Sequence, residues 1–66
     1  MKVIVNDKET QFTGSSLEDL LNEMQIADKK GMAVAVNESV IPKGNWGQQQ
    51  LRENDSVLII KPTQGG

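Results

Sequence analysis

The sequence predicts an α+β fold: a mixed sheet of four to five strands, one helix packed on one face, and a flexible C-terminal tail. Three observations predict it. A single helical stripe, Leu17, Leu20, Leu21 and Met24, stands between short β-branched runs. The first and last of those runs, Val3-Ile4-Val5 and Val57-Leu58-Ile59-Ile60, are apolar on both sides, as central strands are. Finally, the 66 residues include no cysteine and no histidine, which excludes disulfides and argues against zinc or haem. A chain this short buries only about 60% of the surface of its unfolded form. One aliphatic core must therefore hold it, with Phe12 and Trp46 as the only aromatics.

Residues 2–6 form the first strand, and Asn6-Asp7-Lys8 is a polar turn of residues that tolerate tight backbone angles. Glu9 to Thr13 alternates around Thr10 and Phe12 and completes a hairpin. Ser15 and Glu18 have the spacing of a capping box, with Ser16 and Asp19 as a second frame for the helix start. Glu18, Asp19, Asn22 and Glu23 face away from the stripe, and acids early in a helix suit its dipole. Gly31 punctuates the connection after the charged Asp28-Lys29-Lys30.

Met32 to Val36 alternates bulky residues with Ala33 and Ala35, which gives a third strand with one large and one small face. A turn at Asn37-Glu38-Ser39 leads to Val40-Ile41, a short edge strand stopped by Pro42. Residues 43–50 are a polar connection carrying Trp46, which is read as a lid on the core rather than a contact. Leu51 drops one anchor inward, Glu53-Asn54-Asp55 turns, and Ser56 to Lys61 is the last strand. There are no repeats and no low-complexity segments. The order ββαβ(β)β, with the helix obliged to bury its stripe on the sheet, is a β-grasp (ubiquitin-like) arrangement. The domain spans residues 1–61 and the tail residues 62–66. With the two end strands adjacent, Val3, Val5, Val57 and Ile59 lie under the helix. Ile4, Leu58 and Ile60 then lie on the open face, flanked by Ala33 and Ala35.

The chemistry-bearing inventory is small. Without thiol or imidazole, every nucleophilic scheme built on either is excluded. No carboxylate pair marks a hydrolase, and Gly44-Asn45-Trp46-Gly47 lacks the lysine and following helix of a phosphate loop. Ser15 and Ser16 are accounted for by capping. The chain is not expected to be an enzyme, nor to bind a metal or cofactor of its own. A net charge of −2 argues against a nucleic-acid partner. The charge is uneven, −4 over residues 1–28 and +2 over residues 29–66, but the scattered cations, Lys61 included, read as solvated. No apolar run approaches the ~20 residues that span a bilayer. The N-terminus turns polar too soon for a signal peptide, so a cytoplasmic location without membrane contact is expected.

The tail is the remaining feature. Two glycines close a chain by chance in about 0.5% of cases at a Gly frequency near 7%. A frayed end is one reading. The other is a slender arm, with Gln64 and Gly65 required for access, that carries the Gly66 carboxylate into a partner's active site. An ionised carboxylate is a poor electrophile. A partner using ATP and magnesium would first convert it to an acyl adenylate, whose carbon accepts sulfur or nitrogen.

Several segments make a resemblance specific: Val5-Asn6, Val34-Ala35-Val36-Asn37, Val40-Ile41-Pro42-Lys43 with Trp46 following, Leu51-Arg52-Glu53-Asn54-Asp55-Ser56-Val57, and Gly65-Gly66. Over nearly its whole length the chain resembles the sulfur carrier proteins of thiamine biosynthesis, the ThiS family of ubiquitin-like β-grasp proteins. Asn54 departs from the Gly common there, and Asn is the next best residue for a positive φ. Pro62-Thr63-Gln64 is a more polar approach to the diglycine than many relatives show. The resemblance implies that a ThiF-type adenylyltransferase makes the Gly66 adenylate. A persulfide from a cysteine desulfurase system then leaves a thiocarboxylate, and a ThiG-type thiazole synthase takes the sulfur to build thiazole phosphate. Apart from the resemblance, the position of Ile4, Leu58 and Ile60 opposite the helix, flanked by Ala33 and Ala35, makes that open face the expected partner surface, and the chain is expected to be a monomer when free. A ubiquitin-like modifier joined through Gly66, a carrier for another pathway such as molybdopterin, and a non-covalent interaction module are the alternatives.

Overall fold

In the computed structural model, residues 1–27 and 31–61 are described. Each strand forms where β-branched residues alternate in burial. Strand β1 (Lys2–Val5) buries Val3 and Val5, β3 (Ala33–Val36) buries Val34 and Val36, and β5 (Ser56–Ile60) buries Val57 and Ile59. Strands β2 (Lys8–Gln11) and β4 (Ser39–Val40) are polar and short, as edge strands tend to be. The sheet has five strands in the order β2-β1-β5-β3-β4, so the two most apolar runs are indeed adjacent and interior. They run parallel, with Ile4 opposite Ser56 and Val5 opposite Val57. The other pairings are antiparallel, which makes the sheet mixed.

Both hairpins close with two-residue loops, Val5 facing Lys8 and Val36 facing Ser39. Asn6 and Asp7 have φ of 50° and 70°, and Asn37 and Glu38 have 50° and 73°. Two successive positive values are the type I′ turn, whose twist matches that of the flanking strands. The sequence shows no repeat of domain size, yet the two hairpins share the pattern Val-x-Val-Asn-acid and are built alike.

Helix α1 (Leu17–Glu23) uses the second of the two capping frames: Ser16 is the N-cap, and the box is Ser16 with Asp19 rather than Ser15 with Glu18. Asp19 Nα donates to Ser16 Oγ at 3.1 Å, while the Asp19 carboxylate accepts from the backbone of Ser16 at 3.2 Å and Ser15 at 3.1 Å. The connection after β4 decides between the frames. Leu17 and Glu18 donate their N–H groups to the carbonyls of Gln49 and Trp46, so the helix can begin only at Leu17. Every N–H that a helix start leaves without an intrahelical partner is thereby satisfied, which lets a seven-residue helix stand. At the other end Gln25 takes φ 63°, Gln25 donates to Asn22 and Ile26 to Leu21, a Schellman closure. Met24 is the helix C-cap and 37% exposed, so the buried stripe is Leu17, Leu20 and Leu21, and Ile26 beyond the cap takes the fourth place.

Residues 43–50 are more ordered than a polar connection. Lys43–Asn45 is a 3-10 turn that delivers Trp46 into the core at 3% exposure, with its indole N–H donating to the Ile41 carbonyl at 2.9 Å. Trp46 thus acts as the structural lid, and Leu51, 5% exposed, is the anchor beside it. Asn54 carries its turn at φ 71°. The core, from Val3 and Phe12 through the helix leucines to Ile59, lies wholly between the helix face of the sheet and these covering segments. The charged stretch at residues 28–30 and the tail at residues 62–66 lie outside the described residues.

Candidate functional site

Because strand side chains alternate, the register assigns the opposite face residue by residue. Ile4 pairs with Ser56, so Leu58 and Ile60 follow on the same side. Ala35 sits opposite Leu58 and Ala33 opposite Ile60. The five residues expected on the open face are therefore brought together there. Leu58 is 50% exposed and Ile60 56%, Ala33 is exposed, and Ile4 and Ala35 are half-buried. Among the described residues no helix or loop is packed across them as the helix is on the other side. The small alanines leave the two long aliphatic side chains standing above their neighbours.

One residue of this face was not anticipated. Val40 pairs with Ala35 and is 73% exposed, the most open large aliphatic residue described. It extends the apolar surface from β5 across β3 to the β4 edge. A two-residue loop at Asn37-Glu38 places Val40 opposite Ala35, so loop length was the signal that could have found it. On the other side the face becomes polar. Glu9 is opposite Ile4, Gln11 is opposite Lys2, and Lys2 Nζ lies 3.7 Å from Glu9 Oε2. An exposed pair of this kind adds little stability but sets a charged border. The face is thus an apolar patch with one charged flank.

The described surface offers little else that could do chemistry. It holds no group of three or more metal-ligating side chains, and no buried side-chain nitrogen or oxygen lacks a partner. The hydroxyl of Ser16 is buried and engaged in capping, and that of Ser15 lies 3.5 Å from the Asp19 carboxylate. The Asp19 carboxyl is held below the usual carboxylate range by the backbone N–H of Ser15 first and that of Ser16 second. Its role is structural. No helix among the described residues is long and apolar enough to cross a membrane. Gln64, Gly65 and Gly66, the expected reactive arm, lie outside the described residues, and Lys61, exposed, is the last residue described before them.

These features define a class: a ubiquitin-like β-grasp domain whose described surface presents an apolar sheet face. The profile of the ThiS family matches residues 3–66, and the chain belongs to that family. It is 27% identical over 67 residues to the sulfur carrier protein ThiS of Escherichia coli strain K12, with each chain fully covered. It is 31% identical over 67 residues to thiazole synthase of Paramagnetospirillum magneticum, covering all of this chain and 20% of that protein. The fold matches the crystal structure of the thiamine biosynthesis protein ThiS of Geobacter metallireducens with a TM-score of 0.82, full coverage of both chains and 23% identity. A solution structure of the Geobacter metallireducens thiamine biosynthesis protein gives 0.80.

Proposed function

We propose that this chain is a sulfur carrier protein of thiamine biosynthesis, and that the sulfur rides on the carboxyl group of Gly66. The observation that carries the reading is the family match. It runs from the first strand through Gly65-Gly66. A sulfur carrier is a co-substrate on which partner enzymes act.

The chemistry follows from the carboxylate. Its oxygen attacks the α-phosphorus of magnesium-bound ATP in a ThiF-type adenylyltransferase, forming the Gly66 acyl adenylate and releasing pyrophosphate. The terminal sulfur of a persulfide, supplied by a cysteine desulfurase system, attacks the acyl carbon and expels AMP. A thiol then reduces the resulting acyl disulfide and leaves a thiocarboxylate. A ThiG-type thiazole synthase accepts that sulfur for thiazole phosphate. The likeness of this chain to a fifth of a protein named thiazole synthase supports this last partner. The absence of cysteine suits the role: no thiol on the carrier competes for its own activated acyl group. The apolar face of Ile4, Leu58, Ile60, Ala33 and Ala35, extended by Val40, is the docking surface shared by these enzymes. ATP and magnesium belong to the activating partner, and the cycle is placed in the cytoplasm.

Deletion of Gly65-Gly66 tests the reading. Thiazole formation in a reconstituted system should be lost while binding to the adenylyltransferase through the sheet face persists. Full thiazole formation by the shortened chain would overturn it.

A further inference from the structure

The two hairpins share a turn type but not its favoured residues. A type I′ turn has positive φ at both loop positions and favours Asn followed by Gly. Here the second position is an acid in each, Asp7 at φ 70° and Glu38 at φ 73°. The first position does the anchoring. Asn6 Oδ1 accepts from Ile59 N–H at 2.8 Å, and Asn37 Oδ1 accepts from Ser56 N–H at 3.0 Å. Asn37 adds two further bonds, from its N–H to Ser56 O at 2.8 Å and from its Nδ2 to Asp55 Oδ1 at 3.1 Å. The loop between β3 and β4 is thereby tied to the start of β5 through Asn37 alone.

Glu38 is the costlier of the two acids. Asn and Asp enter the left-handed region readily, whereas a longer side chain there is strained. Of the six non-glycine residues with positive φ among the described residues, four are Asn or Asp, and the others are Gln25 and Glu38. Glu38 is exposed, and among the described residues its carboxylate has neither an ion pair nor a hydrogen bond. Glycine would serve the fold better at this position, so a carboxylate kept there points to a use outside the fold. Its place in the sheet supplies that use. Glu38 stands two residues before Val40, at the β4 border of the apolar face. On the opposite border Lys2 and Glu9 neutralise each other. The face therefore has an apolar centre and one uncompensated charge at its rim. A rim charge of this kind sets partner choice and orientation by meeting an opposite charge.

We infer that Glu38 is a specificity-determining contact of the sheet face, pairing with a basic side chain of the adenylyltransferase that docks there. The inference rests on the carrier reading and on docking through this face. Asn37 is bonded to Ser56, the first residue of β5, so Glu38 stands at the end of that strand away from Lys61. Losing Glu38 should therefore weaken docking, seen in KM, and leave kcat alone.

The test compares Glu38→Gly, Glu38→Gln, Glu38→Lys and Gln25→Gly in the full chain. The readouts are thermal melts, and kcat and KM for the carrier in ATP-dependent adenylation by a ThiF-type adenylyltransferase. Glu38→Gly and Gln25→Gly each relieve one positive φ and should raise Tm by roughly 2–8 °C. Only Glu38→Gly should also raise KM, about fivefold at low salt and less near ~1 M salt, with kcat within about twofold. Glu38→Gln keeps the strain and removes the charge, so KM should rise alike while Tm stays put. Glu38→Lys brings like charges together and should raise KM more than about tenfold. A KM within about twofold of wild type in Glu38→Gln or Glu38→Lys, or an equal rise in Gln25→Gly, would overturn the contact alone. A wild-type chain that is not adenylated at all would overturn the carrier reading, and the contact with it.

Discussion

Leu58→Asp is the perturbation that bears most directly on the sheet face. Half of the Leu58 surface is still exposed in the isolated domain. Burying a whole leucine side chain stabilises by about 1.5–3 kcal/mol, so covering the remaining half in a complex contributes about 1 kcal/mol. A carboxylate there forfeits that term and must either lose its water or hold water in the interface, which costs a further ~1–3 kcal/mol. The sum, about 2–4 kcal/mol, corresponds to roughly a 30- to 1000-fold rise in KM. The domain itself should tolerate the change, because the side chain lies outside the helix-covered core. Weaker strand propensity and the lost half-burial together cost about 2 kcal/mol. Adenylate formation measured against carrier concentration, with a thermal melt run in parallel, separates the two effects. Leu58→Thr, which retains a strand-forming side chain, should give a smaller rise in KM and little loss of stability. A Leu58→Asp protein that is folded and has a KM within about twofold of wild type would refute the reasoning that docking buries this face.

The helix ends supply further predictions. Ser16→Ala removes the hydroxyl that accepts from Asp19 N–H and should cost about 1 kcal/mol, a fall in Tm of roughly 4–8 °C for a domain of this size. The Asp19 carboxyl has a lowered pKa in the folded state, so its contribution is present above the ordinary Asp value of about 3.9 and fades as pH falls through the lower folded value. Thermal melts at neutral and acid pH should show that loss in wild type and a smaller one in Asp19→Asn. Gln25→Gly relieves a positive φ at the Schellman position and should stabilise by about 0.5–1 kcal/mol in chemical denaturation.

What sequence could and could not show follows from the range of the interactions. The stripe of Leu17, Leu20 and Leu21 and the alternation in β1, β3 and β5 are local periodicities, and they predicted the helix, the central pair of strands and the two faces. Ile4, Leu58 and Ile60 were assignable to the open face because a strand's period of two leaves no other choice. The capping frame was not decidable from Ser15 and Ser16 alone. It is settled by the carbonyls of Gln49 and Trp46, about thirty residues away in sequence, which receive the first helical N–H groups. Val40 was missed because its side of the sheet depends on the loop before it. The grip of Asn6 on Ile59 was invisible because it joins residues 53 apart through a side-chain amide.

Sulfur transfer to Gly66 is the central claim, and intact mass measures it most directly. The full chain is incubated with ATP, magnesium, a ThiF-type adenylyltransferase and a persulfide source, with and without ATP. A sulfur carrier gains the mass difference of one oxygen replaced by one sulfur, only when ATP is present, and the change maps to the peptide ending in Gly66. An unchanged mass, or a ladder of larger adducts joined to other proteins through Gly66, would contradict it.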